Sequence, residues 1–94
     1  MFVLVTYDVS TVEKEGARRL RRVAQACEDY GQRVQKSVFE CRIEPKHWVL
    51  LRGRLLDEID PAQDSLRFYF MDEDQLVEHH GSGRVVDLSG PLIL

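Results

Sequence analysis

The chain has 94 residues, of which 44% are hydrophobic and 31% are charged, and its formal net charge is −3. This length fits a single domain, residues 1–94, and the composition is typical of globular rather than disordered proteins. No apolar run approaches the roughly 20 residues of a membrane-spanning helix, and the N-terminus lacks the features of a signal peptide. We therefore expect a cytoplasmic protein without a membrane partner. Cys27 and Cys41 lack the spacing of a zinc motif and predict two buried thiols.

The first element is an apolar run from Phe2 to Val9, which predicts a strand covered on both faces. The segment Ser10-Thr-Val-Glu13 fits a capping box and predicts that a helix begins there. We expect Gly31 to end this helix in the left-handed conformation. The spacing of apolar residues predicts one buried stripe, made of Ala17, Leu20, Val23, Ala24, Cys27 and Tyr30.

The middle of the chain predicts more strand and a second helix. Residues 34–43 alternate as a strand does, and a bend at Gln35–Ser37 would divide it into two short strands. Pro45 suits the first turn of a helix because its missing amide hydrogen would be unpaired there. The buried stripe of this second helix is expected to contain Trp48, Val49, Leu51, Leu55, Leu56 and Ile59.

The last third of the chain predicts a turn at residues 60–64, a strand at residues 65–71 and a C-terminal strand at about residues 84–94. The resulting order favours an α+β fold, the ferredoxin-like βαββαβ sandwich with an antiparallel sheet. Two helices cover one face of such a sheet, whereas the first strand is apolar on both faces. We therefore expect a homodimer, in which a second copy covers the open face.

Asp8 is the first candidate for chemistry, because a carboxylate at the end of a buried strand is costly to desolvate without a cation, a donor or water. The alternative is that Asp8 caps the helix or is simply hydrated. Basic residues also predominate in the segment that ends at Lys36, and a local basic face binds phosphate whatever the net charge. The alternative there is an ordinary solvated helix surface. The candidates for phosphate contact are Arg18, Arg19, Arg22, Arg33, Lys36 and Ser37, the last with a structural role in the sheet as its alternative.

Read together, Tyr7-Asp8-Val9, the basic helix, Tyr30-Gly31 and Val34-Gln-Lys-Ser-Val-Phe-Glu40 closely resemble the CRISPR-associated Cas2 family. Its small dimeric members work with the CRISPR integrase when new spacers are captured. The resemblance implies a symmetric dimer in which the Asp8 side chains face each other and the C-terminal strand joins the partner's sheet. It also implies metal-dependent cleavage of RNA or DNA, with Asp8 as the catalytic and metal-binding residue, and contact between the basic helix and nucleic acid.

Magnesium prefers octahedral oxygen ligands, so one Asp8 is a poor site and two across a symmetry axis are a better one. We thus expect a CRISPR adaptation protein that binds DNA or RNA, scaffolds the integrase and carries a magnesium-dependent endonuclease activity. A stand-alone toxin-like ribonuclease and a non-catalytic nucleic-acid-binding module are the alternatives, and the absence of an aromatic RNA-binding pattern weakens the second. His79-His80 offers only a minor metal or general-base hypothesis, because adjacent side chains diverge.

Overall fold

The computed structural model describes residues 1–82 and has the expected ferredoxin-like α+β fold. Its strands form one antiparallel sheet in the order β2-β3-β1-β4, so β1 is a central strand between β3 and β4. The predicted C-terminal strand at residues 84–94 lies outside the described residues. The elements are β1 (Phe2–Asp8), α1 (Lys14–Tyr30), β2 (Gln32–Gln35), β3 (Val38–Arg42), α2 (Pro45–Glu58) and β4 (Ser65–Met71).

Both helices pack on the same face of the sheet. The alternation of side chains along β1 turns Val3, Val5 and Tyr7 toward the helices, where they are almost completely buried. The indole ring of Trp48 meets the ring of Phe68 edge-on, with centroids 4.7 Å apart. Within residues 1–82, neither helix is long and apolar enough to cross a bilayer. The rest of this core consists of Val9, Val23, Ala26, Cys27, Phe39, Cys41, Leu51 and Leu55.

The buried faces of the two helices differ at their edges from the predicted stripes. In α1, Ala17 is exposed, whereas Gly16 and Ala26 are buried. In α2, Val49 and Leu56 are 67% and 42% exposed, so this stripe is narrower than predicted. Periodicity therefore locates each helix correctly, but small or aliphatic residues at the edge of a stripe are compatible with either environment.

The predicted capping box does not form. Helix α1 begins at Lys14, and its N-cap residue Glu13 makes no side-chain cap hydrogen bond. The backbone amide of Ser10 instead donates to Oδ1 of Asp64 at 3.1 Å. The loop between β1 and α1 is therefore held by a tertiary contact with the start of β4 rather than by its own sequence.

Gly31 ends α1 as predicted, but its backbone is extended, with φ −147° and ψ −169°, and not left-handed. Its amide donates to the carbonyl oxygen of Cys27 at 2.8 Å. A Cβ atom at this position would overlap Sγ of Cys41 and would lie 2.8 Å from the carbonyl oxygen of Glu40. Glycine is required here because the end of the helix packs directly on β3.

The predicted strand pair with an intervening bend is confirmed. β2 and β3 are antiparallel, and their register shifts between Arg33 and Gln35. Phe39 and Cys41 are both 0% exposed on the helix side of β3. Burial raises the pKa of the Cys41 thiol to about 11 and that of the Cys27 thiol to about 12. Both thiols are therefore protonated near neutral pH and act as small core side chains, as the sequence predicted.

We expect Gly31→Ala to lower the free energy of unfolding by about 1–3 kcal/mol, because the new methyl group overpacks the contact with β3. Urea denaturation measures this change. The matched control is Gly53→Ala in α2, where an added Cβ has no atom within 4 Å. That variant should gain about 0.5–1 kcal/mol, because alanine is the better helix former. Equal effects of the two substitutions would contradict the packing argument.

Candidate active site

Asp8 is the last residue of β1, and its side chain is exposed. Alternation along the strand places it with Phe2, Leu4 and Thr6 on the face of the sheet that the helices do not cover, which we call the open face. Its Cα atom is paired with that of Ser65, the first residue of β4. Because the N-cap of α1 is a different residue, Asp8 does not cap the helix. The carboxylate is thus directed away from the core at the end of the sheet formed by Asp8 and Ser65, which we call the rim.

Tyr7 holds the turn between β2 and β3 against this rim. Its backbone amide donates to the carbonyl oxygen of Ser37 at 3.1 Å, and its phenolic hydroxyl donates to the carbonyl oxygen of Lys36 at 3.3 Å. The ring stacks on that of Phe39, with centroids 6.2 Å apart. Burial raises the pKa of Tyr7, so the hydroxyl remains a donor at neutral pH. Lys36 and Ser37 therefore lie at the same end of the sheet as Asp8.

A partly buried ion pair lies behind the rim. Nε of Arg19 is 2.9 Å from Oδ2 of Asp64, and its Nη2 is 3.3 Å from Oδ1. The side chain of Asp64 is 0% exposed and that of Arg19 is 16% exposed. The amides of Ser10 and Asp60 also donate to Asp64, at 3.1 and 2.8 Å. Sequence reasoning treated Asp64 as part of a turn and missed its role as the common acceptor of these donors.

The pKa of the Asp64 carboxyl reflects both its burial and its donors. Burial alone would raise this pKa, but the hydrogen bonds from Arg19, Asp60 and Ser10 outweigh that effect and hold it below its ordinary value. The hydrogen bond with Asp64 likewise raises the pKa of the Arg19 guanidinium. Both groups are therefore charged at neutral pH. Arg19 is thus paired with Asp64, and its contact with phosphate stays a prediction.

The remaining basic candidates on α1 are exposed. Arg18 lines a shallow surface groove of about 300 Å³ together with Lys14 and Arg21. The side chain of Arg22 is 59% exposed, and its Nη1 lies 3.8 Å from a carboxylate oxygen of Glu58. A surface ion pair at that distance is weak and exchanges readily for another anion. These arginines form a basic surface on the solvent side of α1.

Arg33 and Lys36 belong to the β2–β3 hairpin rather than to α1. Nη2 of Arg33 is 3.2 Å from Oε1 of Glu28, and its guanidinium lies over the ring of Phe39, 5.1 Å from the centroid. Its side chain is nevertheless 45% exposed. Lys36 is exposed in the turn that Tyr7 fixes. The basic candidates thus fall on α1 and on the β2–β3 hairpin, where Arg33 lies on the helix side of the sheet and Lys36 lies in the turn at the same end of the sheet as Asp8.

The donors for a divalent metal are sparse in one subunit. Across the part of the chain that the structure describes, no three side chains of the His, Cys, Asp and Glu types converge on one point. His79 contacts the carbonyl oxygen of Gly81 at 3.1 Å, whereas His80 pairs with Glu78. The two histidines therefore have separate partners, and Asp8 supplies one carboxylate. Within residues 1–82, Asp8 therefore belongs to no cluster of three such ligands.

Comparison with known proteins shows extensive similarity. The family model for CRISPR associated protein Cas2 matches residues 1–78. The chain is 57% identical to the CRISPR-associated endoribonuclease Cas2 of Chlorobaculum tepidum over 100% of both chains. It is 58% identical to a CRISPR-associated endoribonuclease Cas2 of Rhodospirillum rubrum, over 98% of this chain and 99% of the relative. The crystal structure of Streptococcus pyogenes Cas2 at pH 6.5 superposes with a TM-score of 0.72 and 53% identity, over 79% of this chain and 89% of that one.

The stabilisation that Asp64 provides should disappear in acid. Because its pKa is lower in the folded protein than in the unfolded chain, this stabilisation is complete above about pH 4 and is lost as the pH falls through the folded pKa. Urea denaturation of the wild type and of Asp64→Asn over a series of pH values measures it. The gap between their free energies of unfolding should narrow in acid. The control is Val23→Ala, which removes no titratable group, so its difference in free energy of unfolding from the wild type should not change with pH. A difference for Asp64→Asn that grew in acid would refute the argument.

Proposed function

This chain belongs to the CRISPR-associated protein Cas2 family, and we propose on that basis that it is a homodimeric adaptation protein that binds nucleic acid and cleaves it with magnesium. Relatives named endoribonuclease Cas2 support the nuclease class. The single observation that carries the proposal is the position of Asp8 on the open face of the sheet, exposed at the end of the central strand. Its cellular partner in this proposal is the CRISPR integrase, in the cytoplasm.

The open face supports the homodimer. Leu4 lies between β3 and β4, and Tyr69, which is paired with it, is 43% exposed. Met71 at the far end of the same face is 36% exposed. Phe2 is 1% exposed, and the guanidinium of Arg42 lies 3.9 Å from the centroid of its ring. Burial of the remaining apolar area favours association, and a two-fold axis near β1 would bring the two Asp8 carboxylates together.

The paired carboxylates suit magnesium, which takes one or two carboxylates and completes its shell with water and substrate phosphate. Two Asp8 side chains, one from each subunit, would hold the ion, and their mutual repulsion would be relieved by its charge. When bound, the ion supplies Lewis-acid polarisation of a phosphodiester. The chain's own contribution is to present Asp8 rigidly and to bind the phosphates on either side with Lys36 and Ser37.

The basic surface of α1 supports the scaffold role. Arg18 and Arg22 are four residues apart, so their side chains share one side of the helix and can follow a line of phosphates. Contacts to phosphate position a duplex without reading its bases. Such contacts suit a protein that must hold DNA of any sequence beside an integrase.

Asp8→Asn should abolish magnesium-dependent cleavage and leave the dimer intact, because it removes the metal-binding charge without changing the shape of the rim. Cleavage of single-stranded RNA and of duplex DNA by the purified variant measures the first effect, and sedimentation measures the second. The matched control is Asp57→Asn, which removes an exposed carboxylate from α2. Full activity of the Asp8 variant would refute the catalytic assignment.

Replacing Arg18 and Arg22 together by glutamine should weaken duplex DNA binding at low salt. The slope of log K against log salt should fall in magnitude by about 2, because two fewer counterions are released. Fluorescence anisotropy across a salt series gives this slope. The control is the double variant Lys46→Gln and Arg52→Gln, which removes the same charge from α2. An unchanged slope in the α1 variant would show that these arginines form an ordinary solvated helix surface and do not contact DNA.

A further inference from the structure

The backbone just after Asp8 is held at Ser10 from two sides. Its amide donates to Oδ1 of Asp64 at 3.1 Å. Its carbonyl group packs on Gly16 in the first turn of α1, where a Cβ atom would overlap the carbonyl oxygen and would lie 2.9 Å from the carbonyl carbon. Val9, which links Asp8 to Ser10, is 8% exposed in the core. The chain that leaves the rim is therefore fixed within two residues of the carboxylate.

Asp64 also fixes the strand opposite Asp8. It directly precedes Ser65, whose Cα atom is the ladder partner of Asp8. Oδ2 of Asp64 accepts the amide of Asp60 at 2.8 Å and Nε of Arg19 at 2.9 Å, so the carboxylate cannot shift without losing several charge-assisted bonds. The same side chain thus holds the backbone on both sides of Asp8, along the chain and across the ladder.

We propose that Asp64 and Arg19 are positioning residues for Asp8. They hold the rim so that the Asp8 carboxylate keeps a fixed position on the open face. In that position, Asp8 of a second subunit can share a cation with it. This inference rests on the proposed function, in which Asp8 is the reacting carboxylate. Arg19 belongs to α1, which packs on the opposite face of the sheet, and Asp64 is bound to it there.

The energetics of the pair favour a role in geometry over one in stability alone. The net stability that this pair contributes is smaller than its charge attraction alone, because the Asp64 side chain is fully covered and that of Arg19 is 16% exposed, so both charges are partly desolvated. The pair instead fixes the relative orientation of its two side chains, because a bidentate arginine–carboxylate pair forms in one geometry. Catalysis is sensitive to displacements of about 1 Å, which can cost about 100-fold in rate. A rigid ion pair behind the end of β1 meets that requirement.

The test compares Asp64→Asn with Asp29→Asn in the full-length dimer. Asp29 is a matched control because its Oδ2 lies 2.7 Å from Nη1 of Arg54, in an ion pair that joins α1 to α2 and does not touch the loop after β1. We expect Asp64→Asn to lower kcat for RNA cleavage by about 10–100-fold with KM unchanged, as for other residues that orient a metal ligand. Asp29→Asn should leave both constants unchanged.

Amide hydrogen exchange supplies a readout that does not depend on cleavage. In Asp64→Asn the amide of Ser10 should exchange at least about tenfold faster, while amides in the middle of β1 keep their protection. Arg19→Lys serves as the second variant should Asp64→Asn fail to fold, since lysine keeps the charge but lacks the fork of donors. It should show the same two effects to a smaller extent.

The outcomes separate this inference from the proposed function. An active wild type whose kcat survives Asp64→Asn overturns the positioning role and leaves the nuclease in place. With a wild type that cleaves neither RNA nor DNA, the nuclease proposal fails, and titration with Mg²⁺ alone decides the inference. In that titration, the change that Mg²⁺ causes in the NMR resonance of Asp8 is compared between the wild type and Asp64→Asn. A smaller change in the variant supports the positioning role, whereas identical changes in the two proteins overturn it.

Discussion

Two helices cover only one face of the four-stranded sheet, and the arrangement of the open face follows from this incomplete cover. β1 is the central strand, and alternation turns Val3, Val5 and Tyr7 to the helices and Leu4 and Asp8 to the other side. The open face therefore carries apolar area that favours a second copy together with the carboxylate that such a copy would complete. One periodicity accounts for both the proposed dimer and the proposed site.

The rim is rigid because Asp64, which is distant in sequence, accepts the backbone amide of the loop after β1. A capping box would satisfy the loop after β1 within its own four residues. Here Ser10 instead donates to Asp64, 54 residues along the chain, and Arg19 closes the pair from α1. The loop after β1, helix α1 and the turn before β4 thus meet at the Asp64 carboxylate. The loop after β1 is consequently held in place by tertiary contacts.

The order of the elements could be predicted because hydrophobic periods of two and 3.6 residues are local properties of the sequence. The role of Gly31 could not, since it depends on Cys41 in a neighbouring strand. The ion pair of Arg19 could not be predicted either, because its partner Asp64 lies 45 residues further along the chain. A signal was nevertheless present, because Arg19 lies four residues before Val23 and so falls on the buried stripe of α1. A charge on such a stripe requires a buried partner, which the sequence alone does not identify.

The two parts of the proposed function use opposite sides of the molecule. Arg18 and Arg22 lie on the solvent side of α1, and α1 packs on the face of the sheet opposite to that of Asp8. A duplex bound along α1 is therefore separated from the open face by the helix layer and the sheet. Substrate would reach Asp8 only at the rim, past Lys36 and Ser37. The two proposed activities, binding of DNA as a scaffold and cleavage at Asp8, therefore use separate surfaces and would be separable by substitution.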